Sequence, residues 1–497
     1  MRTPSFLALT FSLPLFALAI AGCMSSDSAA SGFGTGPEVA GPSGAGDFGA
    51  TQGGIQDMTF ARDTVDAGRV PPAEAFVVEA MFSEHDLPLN GETCTSLLCL
   101  RAAIGVAPNE TNEPSAWVQV GMSSTVDPDT FERPTLSVVA VVDVSGSMGW
   151  AYGENGTPAG LSKALLTQVS ERLGEGDRFS IVTYGSSSRV HLSPVSASDH
   201  ERIAGAIESL NENGSTNMEA GLKLGYEVAA DETGRAERVR LMLFTDVQPN
   251  VGSTTASEFE RLVQEGAEGG AGLTVFAVGL GLNPDVLRGM SQIRNANAFS
   301  LTDPEHVSAL MEDSWPWMVS PIAHDLVLQA TASDGFVVAE GFGFPESTLE
   351  EASLSVSTVF LSRRRGALLL RIGPENAAAF DALSVQVSLE YRTIDGEPRE
   401  EAFTKDFSIF TEDVSFEQAG VHKTVALARL VSAMKKAAET YGSDRDTAVS
   451  VLQEAHLQFE ETLDTLDDPA LERERVFSAD LLQLMREGAS QESFYGG

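Results

Sequence analysis

The sequence predicts an α/β protein: a doubly wound, Rossmann-like parallel sheet flanked by an antiparallel β-sandwich region and followed by a C-terminal helical segment. Three observations carry this. The run Leu136-Ser-Val-Val-Ala-Val-Val-Asp143 has no polar alternation, as expected of a central strand buried on both faces. Around it, from about residue 134 to 320, strand-like and helix-like stretches alternate, the signature of βα units. From Leu326 to Phe410 the apolar period becomes two, and from Gly420 it becomes helical.

Taken in order, Met1-Arg2 and the apolar run Phe6 to Ala21 form a charged n-region and a short h-region over residues 1–22, as in an export signal. A membrane-spanning helix would need a longer run. The run ends Ile20-Ala21-Gly22-Cys23, which resembles a bacterial lipobox and implies a lipidated Cys23; an ordinary signal peptide is the alternative. Met24 rather than Asp follows, which in this class of signal implies outer-membrane placement. Residues 23–57 are mostly Gly, Ala, Ser and Pro and read as a flexible tether. In a β region over 58–133, Ala75 to Phe82, Leu97 to Val106 and Ala116 to Met122 read as strands. Cys94 and Cys99 bracket the start of the second of these. Export would favour a disulfide between them, with two free thiols as the alternative.

In the α/β region, 134–320, helices are expected at Leu161 to Leu173, Ile203 to Leu210, Met218 to Ala229, Ser257 to Gln264 and Val307 to Met311. Strands are expected at Asp177 to Tyr184, Arg189 to Leu192, Val239 to Asp246 and Leu273 to Gly279. Region 321–412 carries strands at Phe336 to Ala339, Leu354 to Phe360, Ala367 to Ile372, Leu383 to Tyr391 and Ala402 to Phe410. Because β structure lies on both sides of the α/β region, the two blocks are expected to form one domain into which the α/β region is inserted. Region 413–497 predicts helices at Val421 to Tyr441, Asp444 to Thr465 and Ala479 to Met485. Trp315 and Trp317, flanking Pro316, are expected to pack at the exit from the α/β region.

Asp143 ends the central strand, where ligands of open α/β sheets bind. Ser145 and Ser147 follow at alternate positions on a glycine-containing turn, so a carboxylate and two hydroxyls can converge on one point. Such all-oxygen donors suit Mg²⁺ or Ca²⁺ rather than Zn²⁺.

Asp143-x-Ser145-x-Ser147 closing a buried strand resembles the metal-ion-dependent adhesion site of von Willebrand factor type A domains. Its two further residues are matched by Thr216, in Gly214-Ser-Thr-Asn-Met218, and by Asp246. The resemblance implies hydroxyl ligands at Ser145, Ser147 and Thr216, with Asp143 and Asp246 acting mainly through bound waters, around Mg²⁺ (or Ca²⁺ or Mn²⁺). A dication with largely neutral direct ligands stays electron-poor and can accept an acidic side chain from a protein partner. One departure is Val247, where the family often has Gly after its last Asp.

The 71 acidic and 32 basic residues give a net charge of -39, which excludes nucleic acid and anionic membrane surfaces as electrostatic partners. The chain is not expected to be an enzyme. An aspartyl phosphotransferase usually has a second Asp where Ser145 stands, no serine lies in a Gly-x-Ser-x-Gly elbow, and the seven histidines form no partner pattern. His85 and His422 read as surface or packing residues. The expected protein is a lipid-anchored envelope protein that captures a partner through a metal. The alternatives are an envelope protein whose ion only rigidifies the fold, and an accessory subunit of an ATPase or chelatase complex.

Overall fold

Two sheets organise the chain in a computed structural model, which describes residues 48–492 except 110–112, 128–129, 152–155, 280–282, 316, 345–352, 376–381 and 409–412. The N-terminal block holds strands β1 (Phe48–Gln52) and β2 (Gly54–Ile55), helices α1 (Thr59–Asp66) and α2 (Val78–Glu84), and strands β3 (Cys99–Pro108) and β4 (Pro114–Ser124). Next come β5 (Leu136–Asp143), α3 (Pro158–Glu171), β6 (Arg178–Tyr184), β7 (Ser188–Ser196), α4 (His200–Glu208) and α5 (Met218–Glu232). They are followed by β8 (Arg238–Thr245), α6 (Ala256–Glu268), β9 (Ala271–Val278), α7 (Pro284–Ser291), β10 (Ala296–Leu301) and α8 (Pro304–Asp313). Then come β11 (Pro321–Ala332), β12 (Phe336–Phe342), β13 (Ser353–Ser362), β14 (Gly366–Pro374), β15 (Ser384–Thr393), β16 (Pro398–Asp406) and β17 (Ser415–Phe416). Helices α9 (Ala419–Tyr441), α10 (Arg445–Leu463) and α11 (Glu472–Glu487) close the described chain.

The first sheet has seven strands in the order β2-β10-β9-β8-β5-β6-β7. All neighbours are parallel except the edge strand β7, which runs antiparallel to β6. Every residue of β5 is buried, because helices cover both faces. Val138, Ala140 and Val142 share one core with Leu165, Ile203 and Val307 of α3, α4 and α8. Val139 and Val141 face the opposite core, with Leu222, Phe259 and Leu287 of α5, α6 and α7. Local signals set the helix starts: the Asn217 side chain caps α5 by accepting from Ala220 N, and Thr255 and Glu258 form a capping box on α6.

The second sheet is antiparallel and has ten strands. Strands from before and after the α/β region share it: β4 pairs with β14, and β1 lies between β4 and β13. Alternate side chains such as Val118, Leu328, Val356, Leu370 and Val387 point into one core. Backbones meet closely where β1 crosses. A Cβ on Gly49 would fall 1.8 Å from Arg364 O, and one on Gly366 would fall 2.4 Å from Ala50 O, so both positions require glycine.

Helix α9 joins the core that runs from Trp117 and Leu369 to the α5 to α7 face. The N-terminal block is clamped to α11 by buried charge. Arg62 bonds both Glu84 oxygens at 2.8 and 2.7 Å and Glu474 Oε2 at 2.9 Å. His85 Nε2 and Arg473 Nε meet Glu474 Oε1 at 3.0 and 2.9 Å, and Arg473 Nη2 reaches Glu84 Oε2 at 3.2 Å. All four carboxylate oxygens therefore have partners.

Several expectations need correction. Ala75 to Phe82 is not a strand: a 3-10 turn leads into α2, and Ala80 and Met81 are buried in the core shared with α9, so packing overrides β propensity. The tether 23–57 ends in two ordered strands, β1 and β2, whose hydrogen bonds come from distant partners. The parallel sheet carries one antiparallel edge. The expected flanking antiparallel region is present, its ten strands hydrogen-bonded into one sheet around a shared core. Helices α1 and α7 and strands β10 and β11 were not anticipated. The signal segment 1–22, Cys23, Pro316 and Phe410 lie outside the described residues.

Candidate metal centre

Four loops meet beyond the C-terminal ends of β5, β6 and β8, the edge to which the sheet delivers Asp143 and Asp246. Backbone hydrogen bonds hold them together. Gly146 N donates to Gly214 O at 2.9 Å and Asn213 N to Val144 O at 2.6 Å, which fixes the serine turn against the loop carrying Thr216. Asn217 N donates to Gly185 O at 3.0 Å, bringing in the turn after β6. Asn250 N and Val251 N both donate to Thr216 O at 3.1 Å, which ties in the loop after β8.

All five predicted oxygen donors sit in this cluster. Asp143 Oδ1 accepts from Ser145 N at 2.8 Å, and Oδ2 accepts from Thr245 Oγ1 at 3.3 Å. The hydroxyls of Ser145 and Ser147 are 3.1 Å apart. Thr216 is held by Asn250, whose Oδ1 accepts from Thr216 N at 2.9 Å and whose Nδ2 lies 3.5 Å from Thr216 Oγ1. The Ser147 hydroxyl lies against the Asp246 carboxylate. Asp143, Ser145 and Thr216 are each 1 % exposed and Asp246 3 %, while Ser147 is half-buried. Trp150, whose N–H donates to Ser147 O at 2.9 Å, is 71 % exposed beside the turn.

The electrostatics are those of an anionic site short of positive charge. Burial pushes the Asp143 carboxyl up to about 7, and the Asp246 charge adds to the shift. Burial also raises Asp246, against hydrogen bonds from Ser147 and the Gln248 backbone. Asp246 Oδ1 is buried without a hydrogen-bond partner among the described residues. An orphaned carboxylate oxygen costs free energy until a donor, a water or a cation meets it, and a cation would also offset the two buried negative charges. Two carboxylates and three hydroxyls fit a hard dication that retains waters. Among the described residues no group of three or more His, Cys, Asp or Glu is placed to hold a metal, so a site here depends on the hydroxyls.

Val247 adopts φ +53° and is fully buried. The loop therefore keeps a left-handed turn at the position where glycine is the easier residue, at a strain of order 1–3 kcal/mol. Its N–H donates to Thr245 Oγ1 at 3.0 Å. Sequence reasoning missed Thr245 and Asn250. Thr245 is adjacent to Asp246 and could have been flagged, whereas Asn250 becomes visible only once its loop is folded onto Thr216.

Elsewhere, Cys94 and Cys99 are joined as a disulfide with Cα atoms 5.7 Å apart. His85 is buried in the ionic clamp, and His422 stacks on Phe416 with ring centroids 4.1 Å apart. Trp317 packs on Phe131 at 5.1 Å, and Trp315 lies under the Arg133 guanidinium at 5.3 Å.

The profile of the von Willebrand factor type A domain family matches residues 138–248. The uncharacterized protein YfbK of Escherichia coli K12 is 29% identical over 233 residues, which is 47% of this chain and 40% of that protein. The uncharacterized protein sll0103 of Synechocystis is 28% identical over 187 residues, 35% of this chain and 40% of that protein. The matched stretches span about two fifths of either relative. The solved structure of a von Willebrand factor type A protein from Catenulispora acidiphila superposes with a TM-score of 0.52 at 15% identity, covering 82% of this chain and all of that one. With strand order, sheet-edge site and family profile in agreement, the chain carries a von Willebrand factor type A domain, on a Rossmann-like mixed sheet with an added antiparallel sheet and C-terminal helices.

Proposed function

We propose that this protein is a metal-dependent protein-binding module of the cell envelope, anchored by lipid at Cys23, and that it captures an acidic side chain of a partner protein. Domains of this type generally mediate metal-dependent protein interactions. The single observation that carries the reading here is the buried Asp246 Oδ1, left without a donor beside the paired Ser145 and Ser147 hydroxyls.

Ser145, Ser147 and Thr216 would hold the ion directly, and Asp143 and Asp246 would orient its waters. Asn250 and Thr245 fix the donors, Asn250 through Thr216 and Thr245 through Asp143. A bound Mg²⁺ would supply an electron-poor centre with a coordination position for a partner carboxylate. The all-oxygen donor set and its reliance on waters favour Mg²⁺ over softer ions. No role in the reading needs catalysis, and we propose none.

A second reading, an ion that only stabilises the fold, is favoured by the deep burial of four of the five donors. The two readings part on one experiment. Partner captured from envelope extract in Mg²⁺ should be released by EDTA and recaptured when Mg²⁺ returns. Asp143→Ala or Thr216→Ala should abolish capture with the fold intact. Unfolding of either variant would favour the structural ion, and indifference to EDTA would overturn the bridge.

Among the described residues no helix is long and apolar enough to cross a membrane. The proposed anchor rests on Cys23 and its preceding residues. Cys23→Ser should move the protein from the membrane to the soluble fraction, and unchanged sedimentation would remove the anchor from the proposal.

A further inference from the structure

At the opposite edge of the α/β sheet from Asp143 and Asp246, the strands begin on a cleft of about 690 Å³. Its walls come from the starts of β5, β8 and β9, the end of α6, the loop before β10, and the first residues of β11. In a chain with more than twice as many acids as bases, this cleft is lined by Arg238, Arg240, Arg294 and His324 against only two acids, Glu268 and Asp325. Asp325 is already shared by Arg294 at 3.6 Å and Arg392 at 3.9 Å.

Arg240 is the unusual member. It is 3 % exposed, and every partner it has is neutral. Nε donates to Thr274 Oγ1 at 2.7 Å, and Nη2 donates to Leu273 O at 3.1 Å and Asn297 Oδ1 at 2.9 Å. The guanidinium also lies 5.3 Å from the centre of the Phe360 ring, which belongs to the antiparallel sheet. Among the described residues no carboxylate forms a salt bridge with Arg240, while Arg238 lies beside Glu237 at the rim, donating to Glu237 O at 3.1 Å. Burial pulls Arg240 down to about 9, the cost of a cation desolvated without a counter-charge. Gly272 makes room for the guanidinium itself, since a Cβ there would come within 2.5 Å of Nη1.

We propose that this cleft is an anion-binding site, separate from the metal centre, which takes the carboxylate or phosphate group of a small organic molecule against Arg240, with Arg238 and Arg294 closing on it from the rim. Guanidinium groups suit both anions because their planar donors match carboxylate and phosphate oxygens. Ile293, Pro321 and Ile394 line the same cleft and offer an apolar wall to the rest of such a molecule. A ligand held there would touch both sheets at once, since Arg238 and Arg240 come from β8 and His324 from β11.

The test uses the full chain without divalent cations, titrated with inorganic phosphate and with citrate at constant ionic strength, so that general screening is held fixed. Calorimetry and thermal melting should show saturable binding of at least one anion. Arg238→Ala and Arg294→Ala, both at exposed positions, should each weaken it about tenfold, the loss expected for one charge-assisted hydrogen bond. Lys436→Ala, which removes an exposed positive charge on α9 away from the cleft, should leave it unchanged. A response to phosphate alone assigns a phosphate ligand, and a response to citrate alone assigns a carboxylate. If neither anion saturates at millimolar concentration, or if the two arginine variants bind as tightly as the parent, Arg240 serves only to join the sheets and the proposal fails.

Discussion

Of the regions that bury acidic side chains, two treat them in opposite ways. In the clamp between the N-terminal block and α11, Glu84 and Glu474 meet Arg62, Arg473 and His85 on every carboxylate oxygen. Despite burial, the arginines hold both carboxyls below the ordinary glutamate range, Glu474 well below it. At the sheet edge, Asp143 and Asp246 have each other, hydroxyls and backbone N–H groups, but no cation, and both are raised. A completed cluster holds chain segments together, whereas the incomplete one keeps two buried acids that no positive charge of the described chain meets.

The contrast is broken or sharpened most strongly at Glu474. Its removal leaves Arg62 buried beside a single carboxylate, so Glu474→Ala should cost about 3–5 kcal/mol in urea unfolding. A loss below about 1 kcal/mol, the scale of an exposed pair, would make the clamp no more than surface charge. Next in size is the metal. Mg²⁺ at a hundred times its dissociation constant should stabilise the protein by about 2.7 kcal/mol, and Asp143→Ala should erase that gain while leaving the Glu474 effect intact.

Acid should act on the clamp. Because Glu84 and Glu474 are lowered when folded, the unfolded chain takes up protons first. Their contribution is present in full above about 4.5, the ordinary glutamate value, and is lost as the pH falls below it. Glu474→Ala should flatten the acid limb of a pH-stability curve, and an unchanged limb would assign acid lability elsewhere. The smallest effect is expected at Val247. Glycine would relieve about 1–3 kcal/mol of backbone strain and give up a similar amount of burial, so Val247→Gly should change stability by less than about 1 kcal/mol. A larger loss would show that the side chain, not the backbone, shapes the loop.

The sequence disclosed the metal-type edge better than it disclosed the clamp, for a physical reason. The donors of the edge are announced by strands that are apolar to their last residue, β5 and β8, so Asp143 and Asp246 stand out. The clamp joins Arg62 to Glu474, 412 residues apart, and no local pattern marks either. Strand β10 escaped notice because it buries Asn297 and Ser300 among its apolar residues, Asn297 accepting from Arg240 and donating to Met318 O. Helix α2 was misread because its Val-rich start favours strands, and its packing with α9 is not written locally. Strand β1 sits in a stretch with almost no large side chains, where glycine signals close backbone approach as readily as looseness.

That short strand has a consequence for how the molecule can be divided. Strand β1 is the only described link in the hydrogen-bonded order between β4 and β13, and two residues after it β2 caps the edge of the other sheet at β10. A fragment beginning anywhere after Ile55 would bare the β10 edge and leave the antiparallel sheet in two halves. The eight residues from Phe48 to Ile55 are thus a seam sewn through both layers, and tension applied ahead of them would be felt by both.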